Sequence, residues 1–337
     1  MRKPNCSFPD IQPGDHILMP MRSSRAGLAV LLSLIAGVAP LWSASVHQAA
    51  RPFVVAIDQP GSPKTEPFLF PIARFTGTEW VNTWPEPDES SQPAPSLGQI
   101  PDTWLGGPVP VEWTRWAPEG ERLRVKVVAP VRERHGCEIA TVLRITGPTD
   151  GARDRWARNA VRIAVNTAQP VEWVRWIAPE HREALTVQPV IERTYQAAER
   201  PADVPVQFWT ETLGALNAAG AVMKVETLVR PDSDAGPVVY YFRALRRALT
   251  PRKLPTAIEV HGWIARDDSG AWFTFDTARQ VRHGDGQGEN RPLAVFRLGQ
   301  RTYWLTMLIG YEGLAYAIDD VMRGSVRRVV TARAGGC

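Results

Sequence analysis

The sequence has almost no charge of either sign left over, few cysteines and a single long apolar run, and each shortage removes a class of function. Its 39 basic and 35 acidic side chains leave a formal charge of +4 over 337 residues, so no broad field draws in nucleic acid or an anionic membrane. The pI near 9.1 is a small excess, not a basic footprint. Only Lys3, Lys64, Lys126, Lys224 and Lys253 are lysine; the remaining cations are arginine, a skew of base composition to which we give no mechanistic weight. The chain has no His-Glu-x-x-His, no Gly-x-Ser-x-Gly, no Gly-Lys-Ser/Thr phosphate loop and no dinucleotide fingerprint. The commonest local signatures of metal, serine and nucleotide chemistry are therefore missing. Helical periodicity is sparse as well.

The one long apolar run, Ala26 to Ala39, follows Arg22 and Arg25 and ends in Pro40, Ser43, Ala44 and Ser45. A positive flank, a short greasy core and a small-residue end make a secretory signal. Ser43 and Ser45 occupy the minus-three and minus-one positions of a cleavage before Val46. An uncleaved anchor competes, since a bilayer takes ~20 apolar residues, but Pro40 and Ser43 shorten the span. No Cys follows the run to accept a lipid. Residues 1–20, with Pro4, Pro9, Asp10, Pro13 and Asp15, suit a leader poorly, and Met19 or Met21 makes the better start. The expectation is an exported chain, periplasmic or extracellular, whose mature part begins near residue 46.

Of three cysteines, Cys6 belongs to the leader. Cys137 and Cys337 remain, an even pair in a compartment where disulfides persist. A bond between them closes a loop of about 200 residues, worth on the order of several kcal/mol in the chain-entropy model. Two free or separately buried thiols are the alternative.

Four segments follow from composition: a signal sequence over 1–45, an extended arm and Pro-rich linker over 46–102, a Trp-rich repeat domain over 103–200, and a C-terminal antiparallel β domain over 201–337. In the arm, Phe53–Ile57 and Phe68–Phe70 are short apolar runs broken by prolines, which suits edge strands. In the repeat domain, Pro110-Val-Glu-Trp-Thr-Arg-Trp116 returns as Pro170-Val-Glu-Trp-Val-Arg-Trp176, and Pro130-Val-Arg-Glu-Arg134 returns as Pro189-Val-Ile-Glu-Arg193. Two copies are too few for a solenoid, and the pattern predicts a duplicated strand–turn–strand unit. Ten further strands are expected between Leu123–Val131 and Val326–Thr331, and one helix over Val206–Ala219, stopped by Gly220. Tyr241–Leu249 suits helix or strand. The fold class is mostly β (α+β), with antiparallel sheets or a sandwich and a few short helices.

Three groups of residues could carry function. His135-Gly136-Cys137 resembles the His-Gly-Cys segment in which L,D-transpeptidases, exported enzymes that cross-link peptidoglycan, hold a nucleophilic cysteine. The resemblance covers three residues and implies Cys137 as nucleophile beside His135. Arg134 stands where that family has Ser or Thr, Glu138 and Ile139 follow instead of an Arg, and no His lies between His47 and His135. Glu259 and His261, two apart on one strand face, could form a carboxylate-oriented base, although no Ser or Cys is placed with them and a structural histidine is the plainer reading. Trp113, Trp116, Trp173 and Trp176 could form a sugar platform. Large aromatics in strands more often fill cores, and Arg115 is placed to stack on Trp113. The loop His283–Asn290 spaces Asp285, Gln287 and Glu289 as oxygen ligands, but with only two carboxylates and no flanking helix it reads as a hairpin loop and no metal is expected.

The sequence therefore points to an exported envelope protein that binds or supports rather than catalyses, with no cofactor. Its partner would be a cell-wall glycan or another envelope protein, not nucleic acid, with membrane contact only through an uncleaved leader. The rivals are a cysteine enzyme acting through Cys137 and a Trp-based glycan module.

Overall fold

The computed structural model describes residues 52–59, 66–90, 92–116, 122–147, 161–233, 238–249, 255–283, 288–310 and 313–336. The leader, Cys6, Cys337, Asp285 and Gln287 lie outside the described residues. Within them, the protein is built of antiparallel sheets that form a barrel and a half-barrel.

The barrel takes β1 (Phe53–Gln59), β2 (Phe68–Phe75), β3 (Trp80–Val81), β4 (Glu112–Trp116), β5 (Arg122–His135), β6 (Glu138–Thr146) and β7 (Arg162–Val165). Their order is β1-β7-β4-β5-β6-β2-β3, and β1 also pairs with β2. That last pairing closes the ring and uses up both edges. Alternation sets the faces: in β5, Val125 and Val127 point inward while Arg124 and Lys126 face water. Val54, Val55, Leu69, Leu143 and Ile163 are fully buried.

Phe53–Gln59 and Phe68–Val81 are thus not an arm. β1 and β2 supply the closing seam, because their apolar runs are covered on both sides: Phe53 packs against Trp80 at 5.8 Å and Phe296 at 5.5 Å. Pro71 is accommodated because the register between the two strands shifts beside its partner Ala56. The Pro-rich stretch after β3 runs along the barrel, held where Asp88 and Ile139 exchange backbone hydrogen bonds of 3.1 and 2.7 Å. It ends in the short helix α1 (Asp102–Leu105), stopped by Gly106 at φ +74°.

The second sheet orders its strands β12-β11-β10-β9-β8-β13-β14-β15-β16. They are β8 (Glu172–Trp176), β9 (Lys224–Pro231), β10 (Val239–Leu249), β11 (Pro255–Arg266), β12 (Trp272–His283), β13 (Glu289–Leu298), β14 (Arg301–Ile309), β15 (Gly313–Met322) and β16 (Ser325–Gly336). Tyr241–Leu249 is strand, paired on both sides by β9 and β11. The boundary between barrel and half-barrel falls between β7 and β8, so the expected repeat domain is divided: its first strands complete the barrel and its last opens the second sheet.

The second copy of the repeat is strand–turn–helix, not strand–turn–strand. β8 is followed by α2 (Arg182–Ala197), which swallows Pro189-Val-Ile-Glu-Arg193, whereas the matching Pro130–Arg134 lies in β5. Ala184, Val187, Ile191 and Tyr195 recur every three or four residues and form one buried stripe. His181 caps the helix, its Nδ1 accepting the Glu183 N–H at 3.2 Å. A third helix, α3 (Val206–Ala218), ends before Gly220 at φ +60°.

The nine-stranded sheet has two differently covered faces. Along β9–β12 the outer face, with Leu228, Tyr240, Phe242, Ile258, Val260 and Ile264, packs on α2 and α3. Along β13–β16 the same face, with Phe296, Tyr303, Leu305, Tyr316 and Ile318, packs on the barrel. The inner face curves round a third cluster that includes Tyr241, Trp263, Phe275, Val295 and Trp304. The β11–β12 and β15–β16 turns approach each other, with Arg323 Nε donating to the Arg266 carbonyl at 2.7 Å and its guanidinium paired with Asp268. No β12–β16 ladder joins the two edge strands among the described residues.

Candidate functional site

The inner face of the half-barrel divides into a charged end and a chamber. Odd-numbered residues of β10 and β11 point inward, which places Tyr241 and Arg243 beside Glu259, His261 and Trp263. Glu259 is buried at 1 % exposure. It accepts hydrogen bonds from Arg243 Nε at 2.7 Å, Arg282 Nη1 at 2.9 Å and Gln280 Nε2 at 2.8 Å. Burial alone would raise this carboxyl; the His261 and Arg243 hydrogen bonds and the Arg243 and Arg282 charges outweigh it and hold the pKa at about 2.

The Glu259 and His261 side chains do share a face, with Nδ1 standing 3.5 Å from Glu259 Oε1. A carboxylate enclosed by two guanidiniums and an amide is committed to structure. It has little basicity left to lend to an imidazole.

Toward the other end lies a cavity of about 210 Å³, lined by Tyr241, His261, Trp263, Asp276, Asn290, Thr306, Asp319, Val326 and Arg328. Trp263 stands edge-to-face with Tyr241 at 5.4 Å and with Trp304 at 4.8 Å. Asp319 accepts Arg328 Nε at 2.9 Å and the Thr306 hydroxyl at 3.2 Å. Tyr241 is 3 % exposed, and its hydroxyl has no hydrogen-bond partner among the described residues. Burial, then the Glu259 charge, push this phenol far above its ordinary pKa, so it stays a neutral donor.

Asp276 is the one non-glycine residue at positive φ among the described residues, at +44°. Its carboxylate accepts the Val326 N–H and so ties β12 to β16 at the chamber mouth. The strained backbone costs on the order of 1–3 kcal/mol. Across the bulge, a Cβ on Gly262 would lie 2.9 Å from Thr277 Cα, so only glycine fits there.

The other candidates are dispersed. His135 lies in the barrel, edge-on to Phe68 at 5.5 Å, where burial lowers its pKa. Cys137 follows in the β5–β6 turn, its N–H donating to the Gly336 carbonyl at 2.9 Å. Trp113 and Trp116 are buried in the barrel at 1 % and 4 % exposure. Trp113 Nε1 donates to the Pro110 carbonyl at 2.8 Å. Trp173 is half-buried and only Trp176, at 58 %, is well exposed. The four indoles therefore do not form a shared platform.

Arg115 does not stack on Trp113 but pairs with Asp58 at 2.8 Å, a stronger partner in a buried setting, while Arg122 lies 4.1 Å over the Trp116 ring. In the second copy Arg175 likewise pairs with Glu183 at 2.8 Å. The repeated Arg serves an ion pair in both places. Among the described residues no group of His, Cys, Asp and Glu is arranged to hold a metal ion.

Sequence reasoning passed over most of the chamber. One signal was present: Asp319-Asp320 interrupts the otherwise apolar strand Leu314–Val321, and adjacent strand residues point to opposite faces. Such a buried pair calls for cations on both sides. Arg328 answers Asp319 within the half-barrel, and Arg301 and Arg327 answer Asp320 on the other face.

Comparison of the chain with protein-family models, curated proteins and solved structures finds no match.

Proposed function

We propose that this protein is exported to the cell envelope and serves there as a binding protein rather than an enzyme, with the half-barrel chamber taking the ligand. The observation that carries the reading is the buried Tyr241 hydroxyl, which has no hydrogen-bond partner among the described residues and borders a cavity where the Asp276 carboxylate accepts only a backbone N–H. A polar group left unmatched by folding costs about 1–3 kcal/mol, a cost that a hydrogen bond to a ligand offsets. Glu259, which stands beside the chamber, is held ionised by its donors. The fitting partners remain a cell-wall glycan or another envelope protein.

Export carries a second element of the reading, a Cys137–Cys337 disulfide. The bond from the Cys137 N–H to the Gly336 carbonyl, and the bridge between Gly136 and Gly336, support it. Such a link clasps the end of β16 to the barrel.

Fractionation of cells producing the full chain tests export and clasp together. We expect a processed protein outside the cytosol whose electrophoretic mobility shifts on reduction, and no shift for Cys337→Ser. Full-length chain in the cytosol with its first residues intact would overturn the reading.

A further inference from the structure

A second cavity, of about 260 Å³, lies where the barrel meets the half-barrel, on the opposite face of β15 and β16 from the chamber. Its half-barrel wall brings Arg301 and Arg327, which share one carboxylate oxygen, Oδ2 of the fully buried Asp320. One negative charge thus answers two positive ones. Arg301 holds Asp320 the more closely. Arg327 stands 3.6 Å away with its side chain 64 % exposed, and its guanidinium makes no hydrogen bond among the described residues. Arg328 also borders the cavity but is matched by Asp319 at 2.9 Å. The barrel wall brings Thr78 and Glu79, and the exposed Glu79 makes no ion pair among the described residues. Glu79 and Arg327 therefore line one cavity with opposite charges and do not pair with each other.

A ligand carrying both charges satisfies both walls at once. A lone anion leaves Glu79 unanswered, and a lone cation meets the surplus guanidinium. We infer that this cavity binds a free α-amino acid in its zwitterionic form, with Arg327 taking the carboxylate and Glu79 the ammonium. A guanidinium fork matches a carboxylate through two parallel hydrogen bonds, and a carboxylate accepts from an ammonium. Trp80 and Tyr303, edge-to-face at 5.5 Å, close the floor; the indole N–H and the phenol hydroxyl are sealed beneath it and meet no ligand. About 260 Å³ is below the range of ~300–1,000 Å³ usual for drug-sized ligands, which suits one amino acid and excludes a peptide lying wholly inside. Because one wall comes from the barrel and the other from the half-barrel, a bound amino acid ties the two together. The site is separate from the chamber and does not depend on what the chamber holds.

Calorimetric titration and thermal unfolding of the full chain test it, with alanine, leucine and glutamine as zwitterionic probes and acetate and ethylammonium as single-charge ones. We expect at least one amino acid to bind and to raise the unfolding midpoint, as a ligand specific to the folded state must, and the single-charge probes to do neither. Arg327→Gln and Glu79→Gln should each weaken binding about tenfold, the equivalent of one charge-assisted hydrogen bond. Neither should lower the midpoint of the ligand-free protein, because both side chains are exposed and Arg301 still answers Asp320. Acetate binding as tightly as the amino acids, and more tightly still in Glu79→Gln, would overturn the zwitterion in favour of a simple anion. Amino-acid binding untouched by both substitutions would place the ligand elsewhere and overturn the site. Silence from all three amino acids would overturn the inference outright.

Discussion

The barrel and the half-barrel each bury a carboxylate between two arginines, and the two carboxylates behave oppositely. In the barrel, Asp58 lies 2.8 Å from Arg115 and 3.7 Å from Arg162. Burial there is so complete that it pushes the carboxyl up against the pull of both cations. In the half-barrel, Glu259 collects donors from Arg243, Arg282 and Gln280 and is pulled down to about 2. The closed ring excludes water and leaves its ion pair to stand on charge alone. The open sheet fits more polar groups round Glu259, because Gln280 and Arg282 reach it from the neighbouring strand β12. Room for polar chemistry appears where the strands fail to close.

The sharpest way to break this comparison is to remove the barrel's carboxylate. Asp58→Ala leaves the buried Arg115 without its carboxylate, and we expect a loss of about 3–5 kcal/mol in denaturant unfolding. A loss below about 1 kcal/mol, the size of a surface pair, would show that the barrel admits water and that the contrast is false.

The half-barrel carboxylate gives the next largest effect, read by pH. Glu259 is depressed from 4.5 to about 2, so its contribution is fully present above pH 4.5 and is lost as pH falls through about 2. The shift corresponds to roughly 3 kcal/mol. Glu259→Gln should remove that part of the acid slope while lowering stability uniformly between pH 5 and 8. An unchanged slope between pH 4.5 and 2 would mean that Glu259 titrates normally.

A smaller effect tests the seam that joins the two parts. Gly335 sits at φ +144°, and a Cβ there would lie 2.5 Å from His135 Cβ and 2.7 Å from the His135 carbonyl oxygen. Gly335→Ala must push β16 off the barrel, with an expected cost of about 1–3 kcal/mol. A melting temperature equal to that of the parent would show that β16 does not need this close approach.

How much of this was legible depended on the range over which each signal acts. The strands of the second sheet announce themselves through local alternation; Leu293–Leu298 and Thr302–Leu308 extend by only a few residues in the structure. The helix α3 was equally local, a stripe ended by Gly220. The closing role of β1 was not visible, because prolines around Phe53–Ile57 imply an edge while the partner that removes the edge, β7, lies a hundred residues on. The chamber was least visible: Tyr241, Asp276 and Arg328 are brought together by three strands that no short window spans. Glu259 and His261 were found because two residues on one strand face need only the period of a strand.

The repeated pentapeptide gives the finest test, since the same pattern meets two environments. Pro130 in β5 is buried opposite Leu143 at a shift in the ladder. There its missing N–H is tolerated and its ring fills space. Pro189 lies inside α2, where it removes the bond to the Leu185 carbonyl; Leu185 itself is 57 % exposed, so water can reach that turn. Proline in a helix interior is disfavoured by about 3 kcal/mol relative to alanine, part of which the native helix has absorbed by adjusting. Pro189→Ala should therefore raise stability by about 1 kcal/mol, while Pro130→Ala should lower it through the lost packing. If both substitutions shift the unfolding midpoint in the same direction, tertiary context is not what divides the two copies, and the helix of the second copy must be traced to its flanking residues instead.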